Sequence, residues 1–294
     1  MTPTPLVSVI LPTYNRARTL DRAIHSVLTQ TFRDFELIIT DDGSTDESRC
    51  ILERYSGLPN VRVISSPHRG CSAARNLGVT ASKAPLIAFQ DSDDEWLPSN
   101  LEKAVPPLSS SARGVGLFYS NMIRIHEDGS SSDWRSPDVH RGGLVSESTL
   151  DYQVAGIGIQ AAVIKRTCFD QVGLFDEALP RFIDLDLFIR ISDHFEFYHH
   201  DEALVRYYAT DGISTDTQAL VRARQYLLRK YRRRLRVHRH HLAHQYLLLA
   251  DALRRNGSTH RGRALAAMAL LASPGSARVR RGVADLLWAS SKRY

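Results

Sequence analysis

Asp91-Ser92-Asp93-Asp94-Glu95 puts four acids into five residues, directly after Gln90 and the apolar run Pro85-Leu86-Ile87-Ala88-Phe89. Carboxylates at this density repel one another unless a cation sits among them. Hard oxygen donors of this kind suit Mg²⁺ or Mn²⁺, and those ions in turn suit a diphosphate. The same residues also make an acidic turn and a helix start, because Asp, Ser and Pro98 favour turns and caps. Two further clusters carry chemistry. Pro12-Thr13-Tyr14 offers an aromatic face, and Asp41-Asp42-Gly43 offers acceptors beside a flexible turn. A ring stacked on a base and a carboxylate accepting a base N–H would together clamp a nucleobase. Taken singly, each is also ordinary turn chemistry.

Positioning these residues requires strands. Val7-Ser8-Val9-Ile10-Leu11 is an apolar run of strand length that Pro12 is expected to stop. Leu20, Ala23, Ile24, Val27 and Leu28 then recur at helical spacing. Phe35 to Thr40 reads as a second strand, and Ile51, Leu52 and Tyr55 mark a short helix. Val61 to Ile64 reads as a third strand, Ser72 to Ser82 as a helix, and Pro85 to Phe89 as the fourth strand. Strands alternating with helices predict βαβ units, a parallel sheet and an α/β class. In such sheets ligands bind outside the carboxyl ends of the strands, where all three polar clusters fall. Further on, Gly114 to Ile125 suggests a long strand, Glu127 to Asp133 a hairpin or mobile loop, and Phe195 to Tyr208 closing strands. Gly156-Ile157-Gly158-Ile159-Gln160-Ala161 matches a dinucleotide fingerprint on paper. It lacks the preceding strand and turn, so it reads as a decoy.

Four blocks in order, V-S-V-I-L-P-T-Y-N-R, I-I-T-D-D-G-S-T-D, G-C-S-A-A-R-N-L-G and F-Q-D-S-D-D-E-W, resemble the family 2 glycosyltransferases. The resemblance covers about residues 6–210. It implies a GT-A fold, a Rossmann-like nucleotide-diphospho-sugar transferase architecture, here with a C-terminal helical extension. The nucleotide-binding half would span about residues 1–97 and the acceptor half about 98–216. The resemblance places Pro12 and Tyr14 in the base pocket and gives Asp42 the N3–H of uracil or thymine, with Asp41 close by. It sets Arg75 near the nucleotide and makes Asp91-Ser92-Asp93 the D-x-D motif. Asp93 would bind the divalent cation, with Asp91 toward the ribose or the metal. Gln90 stands where an apolar residue is usual. Asp184, in Phe182-Ile183-Asp184-Leu185-Asp186, matches the first Asp of the E-D-x-D block, the catalytic base, while Ile183 replaces its Glu. From the residues alone, Asp184 also serves as an N-cap. The usual His after the closing strands is missing, and Asp211 is a possible substitute. The resemblance thus implies an inverting, metal-dependent enzyme that uses a UDP- or dTDP-sugar, with a lipid-linked or polysaccharide acceptor in cell-surface glycan synthesis.

Composition sets bounds. Cys50, Cys71 and Cys168 are odd in number and far apart, with no CxxC pair, which fits a reducing compartment rather than a disulfide framework. No apolar run reaches the roughly 18 residues of a spanning helix, and the N-terminus has no basic leader. The expectation is a cytoplasmic protein, peripheral at the inner face of the cell membrane. Residues 217–294 hold 18 of the 38 basic residues but only Asp251 and Asp285 of the 32 acids, a net of +16 against −10 for residues 1–216. That shift marks a boundary near residue 216.

The tail reads as three or four helices, with Leu242, Tyr246, Leu249 and Leu253 as one stripe and Ala264, Leu265, Met268 and Leu271 as another. Arg232-Arg233-Arg234 and their neighbours suit anionic lipid headgroups or, equally, a solvated helix face. Nucleic acid is not expected, since no recognition motif accompanies the charge. His238, His240, His241 and His244 lack a nearby acid and read as surface histidines rather than a zinc site. Two rival functions remain. A sugar nucleotidyltransferase should carry a Gly-rich loop where Pro12-Thr13-Tyr14-Asn15 stands, and a non-catalytic scaffold should have lost Asp93 or Asp184.

Overall fold

The computed structural model describes residues 4–109, 114–139, 144, 151–209 and 216–288. Nine strands and eleven helices follow one another among them. The first half runs β1 (Val7–Thr13), α1 (Leu20–Leu28), β2 (Phe35–Asp41), α2 (Ser48–Tyr55), β3 (Val61–Ser65), α3 (Cys71–Ala81) and β4 (Leu86–Phe89). Next come β5 (Glu95–Trp96), α4 (Asn100–Ser109), β6 (Val115–Ile125), β7 (Ser131–Trp134), β8 (Ala162–Lys165), α5 (Arg166–Val172), α6 (Ile183–Ser192) and β9 (Glu196–Tyr208). The tail holds α7 (Thr217–Lys230), α8 (Arg232–Leu235), α9 (Arg239–Arg255), α10 (Thr259–Ala272) and α11 (Ala277–Trp288).

The sheet order is β3-β2-β1-β4-β8-β6-β9-β5, with β7 pairing β6 outside that path. β3, β2, β1 and β4 are parallel; β8 then runs antiparallel to both β4 and β6. β1 is buried at every position, as a central strand covered on both faces must be. Leu20, Ala23, Ile24 and Val27 of α1 close over one face, joining Val9, Leu11, Leu37, Ile39 and Ala88 in the main core.

Pro12 does not stop β1, which continues to Thr13. The Ile10 carbonyl accepts from Gln90 N–H, so by alternation the backbone edge of Pro12 faces the β4 side, one rung beyond its last residue, Phe89. A proline is tolerated where no ladder bond is asked of its nitrogen.

The 126–130 segment is the turn of a β6–β7 hairpin, with Gly129 at φ +80°. The glycine-rich Gly156–Ala161 stretch opens no long helix; it makes a single 3₁₀ turn at Ile159–Ala161. β9 is one long strand rather than several. It pairs parallel with β6, with an irregularity where Ser120 faces His200 and Asn121 faces Ala203. The Asn121 amide fills that gap by donating to the Asp201 carbonyl at 2.6 Å and to Asp201 Oδ1 at 3.0 Å.

The chain forms two compact units. The first is Met1–Gly142, Gly156–Glu177 and Asp184–Thr210; the second gathers Gly143–Ala155, Ala178–Ile183 and Asp211–Tyr294. In the second unit Asp216 caps α7 by accepting from Gln218 N–H and Ala219 N–H at 2.8 and 3.0 Å. Five helical segments follow, more than the three or four expected. Leu242, Leu249 and Leu253 of α9 are buried, whereas of the stripe expected on α10 only Leu265 packs, partly buried against the cluster of Val221, Leu249 and Leu253. Met268 is 44% and Leu271 80% exposed, while Gly262, Ala266 and Ala269 are buried. A Cβ on Gly262 would stand 2.9 Å from the Ala250 carbonyl oxygen, so small residues set this close helix approach.

Candidate active site

Parallel neighbours β2, β1 and β4 end at one edge of the sheet, so Asp42, Tyr14 and the acids after Phe89 leave the core side by side. Backbone bonds fuse the loops. Asp42 N–H donates to the Thr13 carbonyl and Ser66 N–H to the Asp41 carbonyl, each at 2.9 Å. Asn15, at φ 51°, donates its N–H to Ser44 Oγ at 3.0 Å and accepts from Thr45 N–H at 2.8 Å. Asn tolerates the left-handed region better than most residues, which suits it to this crossing.

The two neighbouring acids at the end of β2, Asp41 within the strand and Asp42 just after it, do different work. Asp41 is buried and turns back to accept from Ser44 N–H at 3.0 Å. Asp42 is also buried, and its two oxygens accept from Arg69 N–H and Gly70 N–H, both at 2.8 Å. His68 reaches the same carboxylate and stacks on the half-exposed ring of Tyr14. Pro12 stays inside β1.

The acidic loop is pinned from several sides. α1 supplies Arg22, whose guanidinium donates to the Asp93 carbonyl at 2.6 Å and lies 3.6 Å over the Tyr208 ring. Thr19 Oγ1 donates to the Ser92 carbonyl at 2.8 Å, and the Ser92 side chain is buried. Arg16 stands 3.4 Å from Asp93 Oδ2. Tyr208 N–H donates to Asp94 Oδ1 at 2.9 Å, tying the loop to the end of β9. Burial, with the charges of Asp91 and Asp93 added, pushes the Asp94 carboxyl well above the usual carboxylate range.

Arg75 links this loop to the far side of the site. Its buried guanidinium ion-pairs with Asp91. Burial works against that charge, but Cys71, Asp91 and Asp184 outweigh it and hold the group protonated. Its neighbour Asn76 clamps the chain that leads toward α6, exchanging hydrogen bonds with the backbone of Phe175 at 2.9 and 3.0 Å and donating to Glu177 at 3.0 Å.

Asp184 lies in the first turn of α6, which already begins at Ile183, so it is not the cap residue. Its Oδ1 accepts from Leu185 N–H at 2.8 Å. Burial raises its carboxyl above the ordinary value, with Asp91 adding to the rise and Arg75 opposing it. Asp184, Arg75 and Asp91 therefore share one electrostatic cluster. The helix is held by Asp186, fully buried and paired with Arg190 at 3.0 Å. Arg190 in turn donates to the carbonyls of Val172, Gly173 and Leu174.

Among the described residues no group of three His, Cys, Asp or Glu side chains forms a ready cation cage. The donor set still fits an ion that shares its ligands with a substrate. Asp91 and Asp93 offer hard oxygens where negative charge is already crowded, and Mg²⁺ characteristically takes one or two carboxylates plus phosphates. Asp211 lies outside the described residues.

Arg16, Arg22 and His68 were not singled out in the sequence, and Asp94 entered only as a member of the acidic run. Arg16 and Asp94 sit inside the recognisable blocks. Arg22 falls in a helical repeat and His68 in a loop without pattern, so only the fold brings them here.

Residues 8–147 match the family model described as Glycosyl transferase family 2. Over that stretch, just under half of the chain, the sequence is similar to glycosyl transferase family 2. The chain is 28% identical over 198 residues to the chondroitin synthase of Pasteurella multocida, covering 66% of this chain and 20% of that one. The chain spans between 19% and 35% of the length of the first curated relatives it matches. Among solved structures, S. aureus TarS 1-349 in complex with UDP-GlcNAc superposes with a TM-score of 0.64 at 18% identity, over 97% of this chain and 87% of that one. The mannosyltransferase PcManGT from Pyrobaculum calidifontis, in complex with GDP-Man and Mn²⁺, gives 0.59 at 19% identity, over 99% and 80%. The chain thus has the GT-A glycosyltransferase fold with a helical C-terminal region.

Proposed function

We propose that this chain is an inverting glycosyltransferase that moves a sugar from a UDP- or dTDP-sugar to a hydroxyl of a lipid-linked or polysaccharide acceptor in cell-surface glycan synthesis. The observation that carries the reading is the cluster of Asp184, Arg75 and Asp91 beside the Asp91–Asp94 loop at the carboxyl edge of the sheet. Tyr14 stacks on the base and Asp42 accepts its N–H. Arg75 fixes Asp91 and faces the diphosphate with a permanent charge. Asp93, with Asp91, holds the divalent cation, which when bound neutralises the departing diphosphate. Asp184 takes the proton of the acceptor hydroxyl as its oxygen bonds to the anomeric carbon. The bond from that carbon to the diphosphate oxygen breaks, and its electron pair leaves with the nucleotide. One base and one displacement invert the centre, and no carboxylate nucleophile is needed. The nucleotide sugars and Mn²⁺ in the complexes of TarS and PcManGT support donor and cation use.

Thermal shifts with UDP, dTDP, GDP and CDP, each with Mn²⁺ or with EDTA, test the reading, since a ligand of the folded state raises the melting temperature. We expect UDP or dTDP to stabilise only with the metal, and Asp93→Asn to lose that dependence. A response to GDP alone would move the base pocket away from Asp42, and no response to any nucleotide would favour a non-catalytic scaffold.

The tail adds a second contact to the proposal. Arg229, Arg232, Arg233, Arg236 and Arg239 are exposed and lie within eight positions in the sequence of Val237, itself 79% exposed. Basic side chains framing an apolar one suit an anionic membrane surface. Among the described residues no helix is long and apolar enough to cross a membrane. Flotation with vesicles containing phosphatidylglycerol should therefore carry the protein, and pure phosphatidylcholine should not. Equal flotation with both would leave the arginines as a solvated face.

A further inference from the structure

His68 makes two contacts whose combination is informative. Its ring lies on Tyr14, with centroids 4.0 Å apart and planes 23° from parallel. Its Nδ1 stands 2.9 Å from Asp42 Oδ2 and 3.2 Å from the Asp42 carbonyl oxygen. A carboxylate and a carbonyl only accept, so Nδ1 carries the hydrogen and donates it. A flat ring on Tyr14 that gives an N–H to Asp42 reproduces both contacts assigned above to a uracil or thymine base.

We propose that His68 occupies the position of the nucleobase, and that the donor base must displace it to bind. The inference rests on the reading of Tyr14 and Asp42 as the base clamp. His68 is then an internal competitor that sets donor affinity, and three observations support it. A stacking distance of 4.0 Å leaves no gap, since a base between the two rings would need about twice that separation. The His68 side chain is 54% exposed, so it can turn into solvent without opening the core. Its backbone is fixed independently of the ring. Arg69 N–H and Gly70 N–H hold the Asp42 carboxylate on either side of any ring movement. Gly43, at φ +81°, lets the backbone of residues 66–68 approach so closely that a Cβ there would stand 3.0 Å from His68 N. Displacement therefore exchanges one ring for another and leaves the loop in place.

The test uses the full chain with Mn²⁺ and titrates UDP and inorganic pyrophosphate by calorimetry against the wild type, His68→Ala, Tyr14→Ala and Asp42→Asn. Removing a stacked competitor should tighten UDP binding by His68→Ala about 2- to 10-fold. Pyrophosphate, which has no base, should bind both proteins alike. In the wild type the His68 imidazole resonance, identified by its absence from the His68→Ala spectrum, should move on adding UDP and stay put with pyrophosphate. Unchanged or weaker UDP binding by His68→Ala would overturn the inference, since it would make His68 a bystander or one wall of the base pocket. A His68 resonance indifferent to UDP would overturn it as well. If Tyr14→Ala and Asp42→Asn bind UDP as the wild type does, the base clamp itself is wrong and the inference falls with it. If only those two weaken while His68→Ala does not tighten, the clamp stands and His68 alone was misread.

Discussion

Asp184, the proposed base, is a carboxyl whose burial has a cost. Burial raises it above the ordinary carboxylate value, although Arg75 draws it back. A carboxyl raised in the folded state lends stability below its unfolded value and loses it as pH rises through the folded value. Toward neutral pH this carboxyl is therefore a burden on folding. Asp184→Asn should abolish transfer, keep UDP binding and raise the melting temperature, with the gain over the wild type larger at pH 8 than at pH 4. Parallel melts and turnover assays check this, and transfer surviving in the variant would place the base elsewhere. The position of Asp184 was legible in the sequence because it stood inside a recognisable block, but its raised carboxyl came from neighbours distant in the chain. Gln90 is the converse case. As a departure from an apolar pattern it was visible, yet only the fold shows it fully buried with neither side-chain amide atom partnered among the described residues.

At the scale of elements, the apolar runs Val7–Leu11, Phe35–Thr40 and Pro85–Phe89 were readable because a strand buried on both faces cannot carry polar side chains. Their carboxyl ends then gave the edge on which the candidate site stands. β8, β5 and the pairing of β6 with β9 were not readable. Short strands have no period, and Tyr119 meets His199 only through sheet order. α10 misled for a different reason. Hydrophobicity pointed to Met268 and Leu271, whereas the packed face consists of Gly262, Ala266 and Ala269, chosen for smallness. Close approach, unlike apolarity, leaves little trace in a hydropathy pattern. Gly262→Val should consequently destabilise the helical unit by about 1–3 kcal/mol, because its Cβ meets the Ala250 carbonyl and not a yielding side chain. Chemical denaturation followed by circular dichroism would show it, and a variant as stable as the wild type would mean that α9 and α10 can part freely.

For the whole molecule, the charge step marks a boundary near residue 216, and the second compact unit adds the segments Gly143–Ala155 and Ala178–Ile183 to Asp211–Tyr294. Within the second unit, Gln245 of α9 donates to Asp151 at 3.0 Å, Tyr231 packs edge-on against Tyr152 with centroids 5.9 Å apart, and the Arg224 guanidinium lies 5.1 Å from the Phe182 ring. Phe182 sits at φ 61°, a strained value for a bulky residue, and only its surroundings can hold it there. Removing residues 217–294 should therefore do more than delete an appendage. We expect backbone amides of residues 151–155 and 178–183 to lose hydrogen-exchange protection in the truncated protein, while those of β1 and β2 keep theirs. Unchanged protection across both segments would show that they need nothing from the tail.

The strained Phe182 also has a consequence for how the chain is made. Synthesis delivers residues in order, and Arg224 emerges 42 positions after Phe182. At about 5–20 residues per second, the Phe182 ring has only its neighbour Arg181, 5.2 Å away, for about 2–8 s before Arg224 can join it. During that interval the segment just before Asp184 lacks one of the two cations that meet the Phe182 ring in the folded chain. The first unit can fold as it leaves the ribosome, but the backbone entering α6 should settle only once the helices of the tail have been translated.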